Sequence, residues 1–472
     1  MSHNVSCKMI TIDRRTSVAL LVAGAMFMQI LDATVITTAL PAIAADFGTA
    51  PAHLSLGVSA YLIAMTVFIP LSGWATERFG AHHIFSGSIV IFALASVLCA
   101  LCQDLTQFTL ARILQGMGGA MMVPVGRLVV LRDTPKSEMV RAIAILTWPA
   151  LVAPLIGPVL GGWIASHWSW HWIFLLNVPL SALALLAAWR LIPATPRSVQ
   201  GFDIKGFVLS GLGFGCTMTG IEFSSRDDIA LSLALAILAT GLLLLAFTVK
   251  HLRHAPQPLF NLAPIAVRTF RVSIVGGSLF RIAISSVPFL LPLMFQVGFG
   301  FSAVTSGALL LWLFAGNLAM KPATTAIMNR FGFKKVLVVN GLMVVIGFAA
   351  MAFISADTPK WLIATLLFVS GMNRSMHFTA MNTIGFADIP TKQMTDANTL
   401  QAVIMQMNLG AGIAIGALSL AIASLINGGS SATASAADFA LSMWFIAGIA
   451  LLAIFDCARL PANAGASVLK HR

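Results

Sequence analysis

Long apolar stretches separated by short polar connections follow one another along the whole chain. Each is long enough for an α-helix to cross a bilayer, which takes about 20 residues. None alternates apolar and polar positions as a lipid-facing barrel strand does. The pattern predicts an all-α polytopic membrane protein with fourteen spans, at 16–38, 54–75, 84–102, 107–131, 139–165, 170–192, 203–222, 229–249, 272–297, 304–328, 335–354, 361–385, 398–425 and 439–459.

The composition supports this prediction. Of 472 residues, 58% are hydrophobic and 9% are charged, and the mean hydropathy is +0.92, whereas soluble domains carry about 25% charged residues. The spans use most of the chain, so we expect no folded extramembrane domain, no enzyme and no catalytic residues. The amino-terminal stretch is predicted to stay as the first helix, because Asp32 interrupts it where a signal peptide would be apolar.

The basic residues are concentrated in alternate connections. With the amino terminus inside, most of the 28 lysines and arginines fall in inner connections or tails, and only Arg226 and Lys360 fall in outer ones. The positive-inside rule then places both termini in the cytoplasm. This asymmetry also explains the net charge of +12. Because the charges are dispersed over short loops, no nucleic-acid-binding face is expected.

One short sequence occurs twice. ERFGAHH at 77–83 follows the second predicted span, and the similar NRFGFKK at 329–335 follows the tenth. This repetition predicts two six-helix halves, at 1–195 and 256–472, with two inserted helices at 196–255. Two such halves around a central site are the architecture of a secondary transporter. No GxxxxGK[ST] phosphate loop is present, so we expect an ion gradient to supply the energy and no cofactor to be needed.

Several segments resemble one family, the major facilitator superfamily, and within it the fourteen-span branch of drug/proton antiporters. LDATVITTALPAI at 31–43 is similar to the first-helix motif of that branch. GWATERFGAHH at 73–83 resembles the superfamily's signature loop, with Gly73, Glu77, Arg78 and Gly80 at its conformational positions. Glu77 stands where that signature usually has Asp, and His82 and His83 replace its Arg/Lys pair. The charge relay of this loop is therefore expected to be weaker or partly sensitive to pH.

Further segments extend the resemblance over nearly the whole chain. LARILQGMGGA at 110–120 and WHWIFLLNVP at 170–179 resemble the helix-4 and helix-6 motifs. APLIGPVLGG at 153–162 resembles the helix-5 antiporter motif, and its conformational residues are Gly157, Pro158, Gly161 and Gly162. MFQVGFG at 294–300 and FTAMNTI at 378–384 are similar to the MdtD-like group of multidrug exporters.

The resemblance implies a major facilitator fold and proton-coupled efflux of small molecules by alternating access. It also implies a monomer in the bacterial inner membrane, with a drug or organic anion, protons and the lipid bilayer as partners. Only the resemblance supplies the direction of transport. Proton-coupled uptake, and a receptor that binds a ligand without transport, therefore stay open as alternatives.

Asp32 is the acidic residue predicted to lie well inside a span. A carboxylate in the bilayer is costly unless it is paired or protonated. The rise of a helix puts Asp32 and Arg112 at similar depths. Two interpretations stay open: Asp32 exchanges protons under the influence of Arg112, or the two form a permanent structural ion pair. Gln115, on the same helix face as Arg112, is a candidate substrate ligand or a partner for a neighbouring helix.

The second half contains three cations in predicted spans, namely Arg281, Lys321 and Arg374, with no acidic residue in those spans. These residues predict a substrate cavity that attracts negative charge. For Lys321 the alternative is a side chain that reaches the inner face, and Arg127 is likewise expected to reach the inner interface. The family implies multidrug efflux, whereas the cations favour export of organic anions such as citrate, iron-citrate or a siderophore. No metal site is predicted.

Overall fold

The computed structural model describes residues 13–48, 51–192, 201–224, 229–428 and 434–469. Within these residues the secondary structure is helical, without strands. The α-helices are α1 (Arg14–Asp46), α2 (Pro51–Phe68), α3 (Leu71–Phe79), α4 (Ala81–Leu101), α5 (Leu105–Asp133), α6 (Met139–Thr147), α7 (Pro149–His167), α8 (His171–Leu175), α9 (Asn177–Leu191), α10 (Ile204–Phe223), α11 (Leu231–His254), α12 (Arg268–Ser285), α13 (Val287–Leu293), α14 (Ala303–Ala319), α15 (Lys321–Ala352), α16 (Lys360–Ala387), α17 (Met394–Ile426) and α18 (Ala436–Ala458).

Ten helical segments of the described chain are long and apolar enough to cross a membrane, and the bent pair of α2 and α3 forms an eleventh. Three predicted spans are not among these eleven. Of these, 139–165 and 304–328 fall on helices that are interrupted, and 361–385 falls within the unbroken helix α16. The all-helical, polytopic architecture is confirmed, and five predicted spans each fall on more than one helix, namely 54–75, 139–165, 170–192, 272–297 and 304–328.

Proline lies at three of these interruptions. The predicted span 54–75 bends by 57° between α2 and α3, next to Pro70. The span 139–165 breaks before Pro149, at the start of α7. The span 304–328 breaks before Pro322, in the first turn of α15. Proline has no amide hydrogen and its ring clashes with the preceding turn, so a helix bends or restarts there.

The repeated sequence makes the same turn twice. Gly80 ends α3 with φ 87° and ψ 144°, and Gly332 interrupts α15 with φ 75° and ψ 162°. Only glycine adopts this backbone region without strain. The resemblance between 77–83 and 329–335 therefore corresponds to one local structure, in which the chain leaves one helix and immediately enters the next.

Helices α1 to α9, which we call the amino-terminal group, pack mainly on one another through the pairs α1–α7, α2–α5, α4–α5 and α4–α9. Helices α12 to α18, the carboxy-terminal group, pack through α12–α17, α12–α18, α14–α16 and α15–α18. Between them in sequence, α10 packs against α11 and also contacts α2 and α17. The α10–α11 pair thus lies beside both groups.

Asp203 connects the α10–α11 pair to the chain that follows it. Its Oδ1 accepts a hydrogen bond from the amide of Gly206, at 2.8 Å, and lies 2.9 Å from Nε2 of His251 at the end of α11. Its Oδ2 accepts from the amide of Leu259, at 3.2 Å. One carboxylate therefore caps the start of α10 and holds the end of α11 and the start of the carboxy-terminal region together.

Many helix ends that carry basic side chains lie on one side of the bundle. Arg132 ends α5, Arg190 ends α9, Arg253 is in the last turn of α11, and Arg268 begins α12. Successive spans run in opposite directions, so these ends share one side, which we call the basic face. Arg226, predicted on the other side, lies outside the described residues.

Hydrogen bonds join the two groups of helices toward the basic face. Lys136 Nζ donates to the carbonyl of Ala387, at 2.7 Å, and Asn398 Nδ2 donates to the carbonyl of Pro124, at 2.8 Å. Both donors are on or near helix ends at that face. The groups are therefore held together at this side of the bundle.

Glycine permits the close packing of α14 on α16. A Cβ atom added to Gly371 would collide with the carbonyl oxygen of Leu313, and one added to Gly316 would collide with that of Phe368. We expect Gly371→Ala to lower the thermal unfolding temperature in detergent by several degrees, because overpacking costs about 1–3 kcal/mol. Gly307→Ala, on an exposed part of α14 with open space around it, should leave the temperature unchanged or raise it. Equal effects of the two substitutions would contradict this account of the α14–α16 interface.

Candidate functional site

A buried carboxylate is the centre of the polar site in the amino-terminal group. Asp32, on α1, is 2% exposed. Arg112 Nη1, on α5, lies 2.7 Å from Asp32 Oδ2. Asp32 Oδ1 accepts from Gln115 Nε2, at 2.9 Å, and from Asn177 Nδ2 of α9, at 2.7 Å. Two helices, α5 and α9, thus supply one positive charge and two amide donors to a single carboxylate of α1.

A second layer holds these partners in place. Ser96 Oγ, on α4, accepts from Gln115 Nε2 at 2.9 Å, and Gln115 Oε1 accepts from Arg112 Nη1 at 2.5 Å. The Arg112 guanidinium lies 4.3 Å above the Tyr61 ring, a distance at which a cation–π interaction is favourable. We call Asp32, Ser96, Arg112, Gln115 and Asn177 the Asp32 cluster.

The Asp32 carboxylate faces one guanidinium and two amide donors, so its buried oxygens have partners within the cluster. Nε and Nη2 of Arg112 are buried and have no hydrogen-bond partner among the described residues. Protonation of Asp32 would remove the only carboxylate within ion-pair distance of this guanidinium in the described chain. The cluster is therefore an arrangement in which one proton changes the balance of buried charge.

The sequence placed Asp32 and Arg112 at one depth, and the structure brings them into contact. Gln115 is fully buried and bonds to its neighbours, so in this structure it belongs to the Asp32 cluster and lines no open cavity. Asn177 and Ser96 were not predicted as site residues. Asn177 carried a usable signal, because it is a lone amide inside the apolar sequence IFLLNVPL, and a polar side chain in a membrane helix usually has a specific partner.

Arg281, on α12, is 5% exposed and is more buried than Lys321 and Arg374. Its Nη1 donates to the carbonyl of Ser273 at 2.8 Å, and its Nη2 donates to Asn382 Oδ1 at 3.2 Å. Asn382 Oδ1 also accepts from Gln401 Nε2, at 2.6 Å. Arg281 Nε has no hydrogen-bond partner among the described residues. The described hydrogen-bond partners of this charge are therefore all neutral oxygens.

Arg374 lies on α16, one turn before His377. Its Nη2 donates to the carbonyl of Ile284 at a long 3.5 Å, and its buried Nε has no partner in the described chain. His377 is 1% exposed and its ring lies 3.8 Å from that of Phe280. Both ring nitrogens of His377 are likewise without a partner among described atoms. Several polar atoms here are thus left without the hydrogen bonds that buried groups normally make.

Lys321 and Arg127 lie between the two groups of helices. Lys321 Nζ donates to Thr147 Oγ1 of α6, at 2.8 Å, and to Thr379 Oγ1 of α16, at 3.0 Å. The alternative that its side chain reaches the inner face is therefore wrong. Arg127 was also expected to reach an interface, but its Nη1 lies 3.6 Å from Met405 Sδ and its guanidinium lies 4.9 Å from the Phe386 ring centre. Both cations thus contact side chains of neighbouring helices.

Arg127, Arg281, Lys321 and Arg374, which we call the basic set, form no ion pair with any described carboxylate. Arg127 and Arg281 are close enough to repel each other. Guanidinium groups with free donors bind carboxylates and phosphates in a fixed geometry.

Two conformational glycines lie where helices approach closely. They are Gly73 of the signature loop and Gly157 of the antiporter motif at 153–162, which lies on α7. A Cβ atom on Gly73, in α3, would collide with Thr399 Oγ1 of α17, at 2.6 Å. A Cβ atom on Gly157, in α7, would collide with Thr34 Oγ1 of α1. Glycine thus brings α3 against the carboxy-terminal group and α7 against α1.

The other residues of these two motifs have simpler environments. Glu77 and Arg78 are half-buried at the end of α3. Gly161 is buried within α7 and Gly162 is partly buried. The side chain of Pro158 lies outside what the structure describes.

Comparison with known proteins gives a consistent result. The sequence pattern of the Major Facilitator Superfamily matches residues 22–415. The chain is 36% identical over 402 residues to "Putative multidrug resistance protein MdtD" of Pectobacterium atrosepticum, which covers 85% of this chain and 86% of that protein. A protein of the same name from Escherichia coli is 35% identical over 404 residues, with 85% of each chain covered.

Solved structures share the fold. The human organic anion transporter MFSD10 (TETRAN) superposes with a TM-score of 0.66 over 94% of this chain and 99% of that one, at 14% identity. The proton:xylose symporter XylE superposes with a TM-score of 0.63 over 96% of this chain and 97% of the other, at 15% identity. At these identities the similarity concerns the fold alone.

The Asp32 cluster predicts a strong energetic coupling between two residues. Arg112→Met should destabilise the protein by about 3–5 kcal/mol, because it leaves Asp32 buried without its counter-charge. In Asp32→Asn/Arg112→Met no charge is left, so the double variant should be more stable than Arg112→Met alone. Thermal unfolding of the purified variants in detergent measures both effects. Arg132→Met, an exposed arginine at the end of the same helix, serves as the control and should change little. Strict additivity of the two single substitutions would show that the ion pair contributes nothing.

Proposed function

Because the chain belongs to the major facilitator superfamily, we propose that it exports small molecules in exchange for protons by alternating access. As a multi-pass membrane protein of this superfamily it is a transporter. Relatives that carry the name of a multidrug resistance protein support efflux of small molecules. The single observation that carries the proton coupling is the buried Asp32–Arg112 pair with its amide donors.

The proton step takes place at Asp32. When Asp32 Oδ2 accepts a proton, the negative charge is lost and Arg112 Nη1 loses its electrostatic partner. Arg112 then carries an uncompensated charge in an apolar environment, which favours any conformation that hydrates it or pairs it with another anion. Release of the proton restores the ion pair. Loading and release of one proton therefore favour two different arrangements of the same helices.

The conformational change moves the regions 1–195 and 256–472 relative to each other, with 196–255 as the inserted segment. The hydrogen bonds from Lys136 and Asn398, together with the close approach at Gly73, close the bundle at the basic face. The positive-inside rule makes that face cytoplasmic and places both termini there. With this face closed, the conformation is the one that opens away from the cytoplasm. The protein works as a monomer in the bacterial inner membrane.

Organic anions are the substrate class that the basic set favours. The four cations of the basic set form no ion pair with a described carboxylate. The Nε–H groups of Arg281 and Arg374 donate no hydrogen bond to a described residue. A buried charge without a partner is costly, and an anionic ligand would offset that cost. Citrate, a ferric citrate complex or a siderophore has several carboxylates or other oxygen donors that match these groups. Multidrug efflux is the first candidate, because the names of the relatives favour it, and export of organic anions is the alternative that the basic set favours.

Proton coupling is tested in liposomes that contain a pH-sensitive dye. An imposed gradient and an added substrate should produce proton movement with the native protein, and Asp32→Asn should abolish it, because an amide does not titrate. Asp357→Asn, on an exposed part of the chain outside the long helices, is the matched control and should keep full activity. Proton movement that persists in Asp32→Asn would overturn the assigned role.

Substrate class is tested in the same liposomes with citrate, ferric citrate and a lipophilic cation offered separately. We expect Arg281→Gln to lower citrate-dependent proton movement at least tenfold, since a charge-assisted hydrogen bond contributes about 1.5–3 kcal/mol. Lys392 is an exposed cation at the basic face, and Lys392→Gln should leave the proton movement with each of the three substrates unchanged. A response to the lipophilic cation alone would favour multidrug efflux and make the basic set structural.

A further inference from the structure

A wide apolar groove opens on the side of the bundle, and no residue of the Asp32 cluster or the basic set lines it. It has a volume of about 980 Å³ and is lined by α10, α11, α12, α13 and α17. It exists because α11 packs mainly on α10 and does not close onto α12 and α17. On α11 the lining consists of leucines at helical spacing, including Leu231, Leu235 and Leu242, each about half exposed. We call it the lateral groove.

The lateral groove lies at the depth of the hydrocarbon layer. Between Ile274 and Leu293, both of which line it, the helices rise by about 28 Å, close to the ~30 Å of a bilayer core. The polar side chains that line it donate hydrogen bonds within the protein. Asn408 Nδ2 donates to Ser278 Oγ at 2.9 Å, Ser278 Oγ donates to the carbonyl of Ile274, and the hydroxyls of Thr217 and Ser224 donate to carbonyls of α10. The groove therefore suits an apolar chain better than water or a polar solute.

A basic pocket adjoins the groove at the basic face. It has a volume of about 280 Å³, and its charged lining residues are Arg268, Arg271, Asp456 and Arg459. Val275 lines both the basic pocket and the lateral groove. Since Arg271 and Val275 are one helical turn apart on α12, the two cavities share one helix face.

The charge of the basic pocket is positive. Arg268, Arg271 and Arg459 form no ion pair with a described carboxylate. Arg268 Nη2 donates to the carbonyl of Arg459, which brings two of the arginines together. The one carboxylate, Asp456, accepts from the amide of Gly276 at 3.2 Å. Three guanidinium groups against one carboxylate leave donors for a phosphate.

We propose that the lateral groove and the basic pocket together bind an anionic phospholipid from the leaflet at the basic face. The phosphate lies against Arg268, Arg271 and Arg459, and an acyl chain passes Val275 into the groove. Basic pockets between membrane helices recognise such headgroups, and burial of an acyl chain contributes about 0.8 kcal/mol per CH₂ group. The bound lipid fills the gap between the α10–α11 pair and the carboxy-terminal group.

The test is native mass spectrometry of the full-length, delipidated protein with either dioleoyl phosphatidylglycerol or dioleoyl phosphatidylcholine. The native protein should bind phosphatidylglycerol more tightly. Arg271→Gln should lower this preference about fivefold, because a basic residue near a membrane surface contributes about 1 kcal/mol to binding of an anionic lipid. Arg271 has no side-chain hydrogen bond among the described residues, so this variant should fold. Arg268→Gln/Arg271→Gln/Arg459→Gln should remove the preference.

Two further variants separate a specific site from general attraction. Ala414→Trp, in the lateral groove, should weaken binding of both lipids. Arg330→Gln/Lys334→Gln/Lys335→Gln removes three charges from another connection at the basic face and should leave the preference intact. Equal binding of the two lipids by the native protein would overturn the proposal, and so would a loss of preference in this control as large as in the arginine variants. Full competition by glycerol 3-phosphate would show a phosphate site that does not use the groove.

Discussion

The hydrocarbon core of a membrane contains no water, so each buried charge must find its partner within the protein. In the amino-terminal group this constraint is met at Asp32, whose two oxygens accept from Arg112, Gln115 and Asn177. Those donors come from α5 and α9, while Ser96 of α4 supports them. The packing of α1, α4, α5 and α9 around one another thus depends on a single carboxylate. A change in its charge would affect all four helices.

The carboxy-terminal group meets the same constraint incompletely. Arg281 and Arg374 are bonded to carbonyl and amide oxygens, and each has a buried Nε without a described partner. One group of helices therefore contains a carboxylate whose two oxygens both have partners, and the other contains cations whose hydrogen-bond partners are all neutral. Such a division suits a transporter in which a proton exchanges at one site and an anion binds near the other. The two sites would then communicate through the contacts between the groups, such as Lys321 with Thr147 and Thr379.

The α10–α11 pair is held by a different set of contacts. Asp203 bonds to the start of α10 and to the end of α11 near the basic face. Helix α10 also packs against α2 and α17. Helix α11 has little protein contact beyond α10, and its surface is mostly leucine exposed to lipid. The pair therefore adds a lipid-facing surface beside the two groups, and the lateral groove is a direct consequence of how far α11 stands from α12 and α17.

The sequence determined the features that depend on local composition. The hydropathy pattern indicated where helices cross the bilayer, and the repeated RFG sequence marked the turns at Gly80 and Gly332, because an apolar run and a positive-φ glycine act locally. It also isolated Asp32 as a buried acid and placed Arg112 at its depth. Tertiary structure alone decided the partners: Asn177 and Ser96 joined the Asp32 cluster, and Lys321 turned to two threonines of α6 and α16. Depth along a helix follows from counting residues, whereas the direction a side chain faces depends on which helices pack beside it.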